Sequence, residues 1–158
     1  MASKQLRWCC NQRNGINLVE PNRNLSLAFI EKSERSIEEM SNAKYQESKL
    51  HFAYYAMYES FYAIMQRVGV KCEIHTCTFE FMKSFLTESF SKDECSFLEK
   101  AYTARKDATY YVNRKISDQT TIEIIKKAPL FVVKCKSVLE KINENKIKSV
   151  RDALKKIC

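Results

Sequence analysis

Apolar positions in this chain recur at intervals of three and four, the spacing of helices that bury one face. The clearest run lies between residues 43 and 68. There Leu50, Tyr54, Met57, Phe61, Ile64 and Val68 form one stripe. His51, Tyr55, Tyr58 and Tyr62 form a second stripe beside it, with the same spacing. A helix apolar on two stripes needs two sets of neighbours. This one is therefore expected at the centre of a bundle, or at a subunit interface as well. Tyrosine suits an interface, because its ring buries while its hydroxyl finds a partner. Gly69 is expected to cap the helix at its C-terminus.

Shorter patterns surround this helix. Residues 1–24 read as an irregular lead-in, anchored by Trp8, Ile16, Leu18 and Val19 and closed by Pro21. A helix is predicted over residues 25–40, with Asn24 as N-cap and Leu27, Ile30 and Ile37 inward. Residues 70–77 read as a loop, followed by a helix over 78–90 with Phe79, Met82 and Leu86 on one side. Ser91-Lys92-Asp93-Glu94 has the form of a capping box and opens a helix reaching to about Lys115. Its stripe is Leu98, Ala101, Arg105, Ala108 and Val112, so Arg105 stands among apolar positions and needs a partner. Thr120 and Glu123 read as a second capping box. Ile125, Ala128, Val132, Cys135, Leu139 and Ile142 follow in helical register, and Pro129 among them predicts a kink rather than a stop. A last helix over 146–157 turns Ile147, Val150, Leu154 and Ile157 inward. The fold predicted is all-α, an up-and-down bundle of five to six helices. The lead-in spans 1–24, the bundle 25–144 and a short basic helix 145–158.

Composition narrows this further. At 158 residues, 45% hydrophobic and 29% charged, the chain matches one globular domain. Only two Gly and two Pro are present, too few for the many turns of an all-β fold. The same scarcity excludes a glycine-rich phosphate loop, and His-Glu-x-x-His is missing too. No apolar run has the length of a membrane span, and the first 14 residues lack the apolar core of a secretory signal. The expectation is a cytoplasmic protein with reduced thiols. Its cysteines, at 9, 10, 72, 77, 95, 135 and 158, then read mostly as small apolar core residues. Net charge is +8, and residues 126–158 carry ten Lys/Arg against three acids, a surplus of 7. That asymmetry points to a polyanion or acidic partner near the C-terminal end, or else to a solvated lysine-rich face.

Two clusters carry candidate chemistry. Cys72, His75 and Cys77, with Cys9 or Cys10 as a fourth ligand, have zinc-binding residue types, although the spacing is not that of a standard finger. Their alternative reading is packed thiols and a helix-capping histidine. The stretch around Arg105 is the stronger signal. Arg105, Lys106, Tyr110, Tyr111 and Arg114 could hold a phosphate and stack a base, or build a buried structural network. Arg105, Asp107 and Tyr110 are the candidates for catalysis. Positions five apart on a helix differ by about 140° in direction. Arg105 and Tyr110 can then meet only through an irregular turn or across a two-fold axis. For a Ser-His-Asp arrangement, His51 and His75 are the available bases.

Ala53-Tyr54-Tyr55-Ala56-Met57 resembles a signature of the second helix of HEPN proteins. Residues 69–75 resemble the loop that follows it there. Arg105, Ala108 and Tyr110 resemble an Arg-x-x-Ala-x-Tyr stretch in the fourth helix, and Ala128, Phe131 and Leu139 fall where the last long helix is apolar. The likeness covers about residues 25–142. Trp8-Cys9-Cys10 through Glu20-Pro21-Asn22 is similar to the lead-in of an archaeal subgroup. The resemblance implies a helical bundle that commonly forms a homodimer. Many members are ribonuclease toxins paired with a minimal nucleotidyltransferase. Their catalytic signature is an Arg followed a few residues later by a His. Arg105 matches the Arg, but Tyr110 or Tyr111 stands where the His belongs. A phenol with a pKa of about 10 is a poor general base at neutral pH. In some pairs a tyrosine just beyond that His is adenylylated; Val112 occupies the matching position. The resemblance therefore implies a non-catalytic protein that binds a nucleotidyltransferase partner and nucleotide or RNA, without a cofactor. The alternatives are a metal-independent ribonuclease toxin using Arg105, or a purely structural dimeric scaffold.

Overall fold

The computed structural model describes residues 2–158. Its helices are α1 (Lys4–Asn11), α2 (Arg23–Asn42), α3 (Gln46–Val68), α4 (His75–Phe85), α5 (Lys92–Tyr110), α6 (Asp118–Lys141) and α7 (Glu144–Lys155). Two-residue strands β1 (Asn17–Leu18) and β2 (Val70–Lys71) pair antiparallel, Asn17 opposite Lys71 and Leu18 opposite Val70. The fold is all-α, as the periodicity predicts, with seven helices among the described residues rather than five or six. None is long and apolar enough to cross a membrane.

α3 is the axis of the structure. All six residues of its first stripe are buried, and Ala53, Ala56, Ala63 and Met65 are buried beside them. α2, α5 and α6 pack around it. α4 lies against α5, α1 lies against α4, and α7 reaches the C-terminal end of α3. Gly69 caps α3 with φ 83°, the left-handed conformation that an L side chain avoids.

Several boundaries differ from the sequence expectation, each for a local reason. The lead-in is not irregular: Ser3 caps α1 by accepting from the Leu6 amide, and Leu6 and Cys9 face inward. Eight residues are too few to display a helical period. Of the four expected anchors, Ile16 is buried and Leu18 partly so, while Trp8 is 46% exposed and Val19 also faces out. α2 begins earlier, with Asn22 rather than Asn24 as its cap. Leu27 is exposed, and Ser26 and Ser33 take inward positions because their hydroxyls donate to the Ala63 and Ile30 carbonyls, each at 2.7 Å. α4 starts at His75, inside the expected loop. The Ser91–Glu94 capping box is present, but α5 stops at Tyr110 and leaves Val112 fully in solvent. Ser117, not Thr120, caps α6; Glu123 instead pairs with Lys100 and Lys127. α6 runs through Pro129 without stopping.

The expectation of reduced thiols also gives way. Cys9 is bonded to Cys77 and Cys10 to Cys158, while Cys72, Cys95 and Cys135 are free and buried. The bridged residues are 68 and 148 positions apart, so nothing local marks them. The fold brings their Cα atoms to 5.5 and 5.0 Å, within disulfide reach.

Arg151 of α7 ties the ends of the chain to the middle. Its Nη1 donates to the carbonyls of Val19, Val68 and Gly69 at 2.7, 3.2 and 2.9 Å. These include carbonyls at the end of α3, where a cation also complements the helix dipole. Arg151→Ala should lower stability by about 2 kcal/mol, within the range for hydrogen bonds to a charged group. Gly69→Ala should cost more than the roughly 1–2 kcal/mol of left-handed strain. Its Cβ would lie 2.3 Å from Arg151 Nη1 and 2.5 Å from the Val19 carbonyl oxygen. Urea denaturation of both variants checks these values. A midpoint unchanged in Arg151→Ala would show that the carbonyls are equally well served by water.

Candidate functional site

α5 turns Cys95, Leu98, Ala101, Ala104 and Arg105 into the core. Arg105 is only 7% exposed. Its Cζ stands 5.2 and 5.4 Å from the ring centres of Tyr54 and Tyr55 on α3, and 5.5 Å from Tyr102 on its own helix. The rings offer their negative faces to the guanidinium. Its Nε is buried with no hydrogen-bond partner, and among the described residues no carboxylate pairs with it. Burying a charge without a counter-ion is costly, and here only ring faces offset that cost.

Two histidines that are remote in sequence stand at the same cluster. His75 opens α4 and stacks on Tyr58 at 4.3 Å and Tyr102 at 5.4 Å. Its Nδ1 lies 2.5 Å from the Tyr54 hydroxyl. Burial, and then the charge of Arg105, lower the His75 pKa to about 4, so the ring is neutral at pH 7. Burial raises the Tyr54 pKa, which keeps its phenolic proton in place. Tyr54 and the neutral ring share this one hydrogen bond, whose direction follows the imidazole tautomer. Burial likewise raises the pKa of Tyr58, whose hydroxyl lies 3.3 Å from Thr78 Oγ1. His51, one turn before Tyr55, is exposed and tilts against that ring at 4.8 Å. Burial and Arg105 lower its pKa too.

The residues singled out on α5 do not gather in one place. Lys106 reaches over the Tyr102 ring at 5.0 Å, on the Arg105 side. Asp107 instead pairs with Arg114 at 2.9 Å, and Arg114 sits 3.7 Å over the ring of Tyr111. Tyr111 and Arg114 line a separate cleft of about 610 Å³ with Gln46, Glu47 and Ile116. Tyr110 is 68% exposed while Arg105 is buried, so within one chain the two do not converge. The chemistry-bearing partners of Arg105 come from α3 and α4, with Tyr102 from α5 itself. His51 and Tyr58 were legible as members of one stripe; His75 was not, because the turn that returns it to α3 leaves no periodic trace.

Cys72, His75 and Cys77 are not assembled as ligands. Cys77 is bonded to Cys9, and the Cys72 thiol donates to the Ile74 carbonyl at 3.3 Å. Burial raises the Cys72 pKa, which disfavours the thiolate a metal needs. Among the described residues no group of three or more His, Cys, Asp or Glu side chains could hold a metal ion.

The neutral His75 makes stability depend on pH. Its pKa is 6.5 when unperturbed and about 4 in the fold, so over that window the unfolded chain binds the extra proton. The contribution is complete above the upper value and is lost as pH falls toward the lower one. Urea midpoints at about pH 7 and pH 5 should therefore differ more for the native protein than for His75→Gln. Equal differences would mean that His75 titrates freely in the fold.

No protein-family model matches the chain. A UPF0332 protein of Archaeoglobus fulgidus is 31% identical to it over 90 residues, which are 56% of this chain and 72% of the relative. With that identity sustained over most of the relative, the chain belongs to the UPF0332 family.

Proposed function

We propose that this chain is a HEPN-like binding protein that holds the phosphate of a nucleotide or RNA at Arg105 without cleaving it, and that docks a minimal nucleotidyltransferase. The observation that carries the reading is the buried Arg105 guanidinium, flanked by three tyrosine rings and lacking a counter-anion. A phosphate supplies the missing charge and acceptors. The half-buried Tyr55 beside the exposed His51 offers a face for a base. The likeness of the helix carrying Tyr54 and Tyr55 to the HEPN signature supports the same reading.

The protonation pattern argues against cleavage. Attack by a ribose 2′-hydroxyl needs a proton acceptor, and the Nδ1 of His75 is already engaged with the Tyr54 hydroxyl. Loss of a general base typically removes about 10²–10⁴ in rate. His51 favours a second reading. Its lowered pKa leaves it neutral at pH 7 and able to accept a proton beside Arg105, so a metal-independent ribonuclease would use Arg105 with His51.

The Tyr55, Tyr58 and Tyr62 face of α3 is only partly buried, and we place a homodimer contact there. The lysine-rich end supplies a further electrostatic contact to polyanion. Arg151 does not belong to that set, because it is committed to backbone carbonyls.

Four outcomes follow from this reading. A fluorescent RNA oligomer should bind the native protein and lose about tenfold or more in affinity with Arg105→Ala, a charge-assisted contact of about 1.5–3 kcal/mol. The same RNA should remain intact. Cleavage that disappears in both Arg105→Ala and His51→Ala would establish the ribonuclease reading instead. Affinity should fall steeply with salt, and replacing Lys146, Lys148 and Lys155 should flatten that slope; an unchanged slope would leave those lysines as a solvated face. Light scattering at micromolar concentration should give twice the chain mass, and a clean monomer would remove the proposed contact.

A further inference from the structure

α1 carries two adjacent cysteines that make two very different bridges. Cys9 and its partner Cys77 are completely buried. Cys10 is only partly buried, and its partner Cys158 is exposed. Thiol–disulfide exchange needs a thiolate to reach one sulfur of the bond, so access decides which bridge can react. We infer that Cys10–Cys158 is a reducible latch, a site of reversible modification by small thiols, while Cys9–Cys77 is a permanent staple.

The surroundings of Cys158 favour exchange there. Lys155 and Lys156 precede it, both exposed, and Arg7 lies one turn before Cys10 on α1. Positive neighbours lower the pKa of a thiol and so make it a better leaving group. The step balances with a dithiol as co-reactant. A dithiol thiolate attacks Cys158 Sγ, the bond to Cys10 breaks, and Cys10 leaves as a thiolate that takes a proton. The second dithiol thiolate then displaces Cys158 and closes the reagent's own disulfide. Two electrons pass to the protein, and two protons end on Cys10 and Cys158. The remaining thiols, Cys72, Cys95 and Cys135, are buried and take no part.

Opening the latch is a local event. α7 stays in place through Ile147, Val150 and Leu154, all buried, and through Arg151. α1 stays on α4 through Leu6 and the Cys9–Cys77 bridge. What comes loose is residues 156–158, where Ile157 packs beside Leu6, together with the outer edge of α1. Those residues adjoin the part of the chain that holds most of its surplus positive charge, so thiol redox state sets how firmly that end is held.

The test uses the whole native protein purified without reductant. It is exposed to graded dithiothreitol, alkylated with a maleimide and weighed intact, with the labelled sites mapped by peptide. The expected result is two adducts, on Cys10 and Cys158, at a dithiothreitol concentration at least about tenfold below that needed for Cys9 and Cys77. Hydrogen exchange should rise in residues 4–11 and 155–158 and not in 46–68. Oxidised glutathione should then restore the Cys10–Cys158 bridge, one thiol taking a mixed disulfide from which the other displaces glutathione. Cys158→Ser should show the raised exchange with or without reductant, with an unchanged helical circular-dichroism spectrum. Labelling of all four cysteines at one concentration, no labelling short of unfolding, or purified protein without either bridge would each overturn the inference.

Discussion

Nearly every feature of this molecule depends on the burial of one helix from most sides. α3 spans 23 residues, and thirteen of them are buried. Apolar area removed from water is worth about 25 cal/mol per Å², so a helix covered by α2, α5 and α6 organises the whole core. It also fixes where polar chemistry can stand. On its one incompletely covered stripe, tyrosines and a histidine replace leucines, and Arg105 of α5 inserts between their rings.

That insertion couples electrostatics to packing. Burial first, and the charge of Arg105 second, keep His75 and His51 neutral near pH 7. The hydrogen bond between the neutral His75 and the Tyr54 hydroxyl holds the first turn of α4 against α3. A cationic His75 would stand unfavourably in the field of Arg105. The guanidinium therefore adds to what burial already imposes on both histidines.

The fold was legible where periodicity runs long enough to be unambiguous. The six positions from Leu50 to Val68 are all buried, Gly69 is the left-handed cap, and the Ser91–Glu94 box closes as its residue types require. α1 was hidden by its brevity, and the serine-lined inner face of α2 by hydroxyls that read as polar until they meet a carbonyl. At the site, Arg105 stood out as a charge within an apolar stripe. Reading along one helix then grouped it with Tyr110 and Asp107, which face elsewhere, and separated it from Tyr54 and His75. Contacts between helices are set by the returns of the chain, and neither a return nor a disulfide spanning 148 positions leaves a periodic mark.

The Arg151 junction bears on the order in which the protein is made. The carbonyls of Val68 and Gly69 are joined by Val19 from an early segment, and all three receive one guanidinium from α7. During synthesis the last turn of α3 leaves the ribosome long before residue 151 does. Until then the Gly69 carbonyl has the Val19 amide, while the carbonyls of Val19 and Val68 wait for the guanidinium. A nascent chain thus carries an unfinished axis until α7 has emerged, and the locking of α3 waits for that helix. Truncated or prematurely terminated products would share the bundle's sequence and lack this closure, which makes them ready substrates for proteolytic clearance.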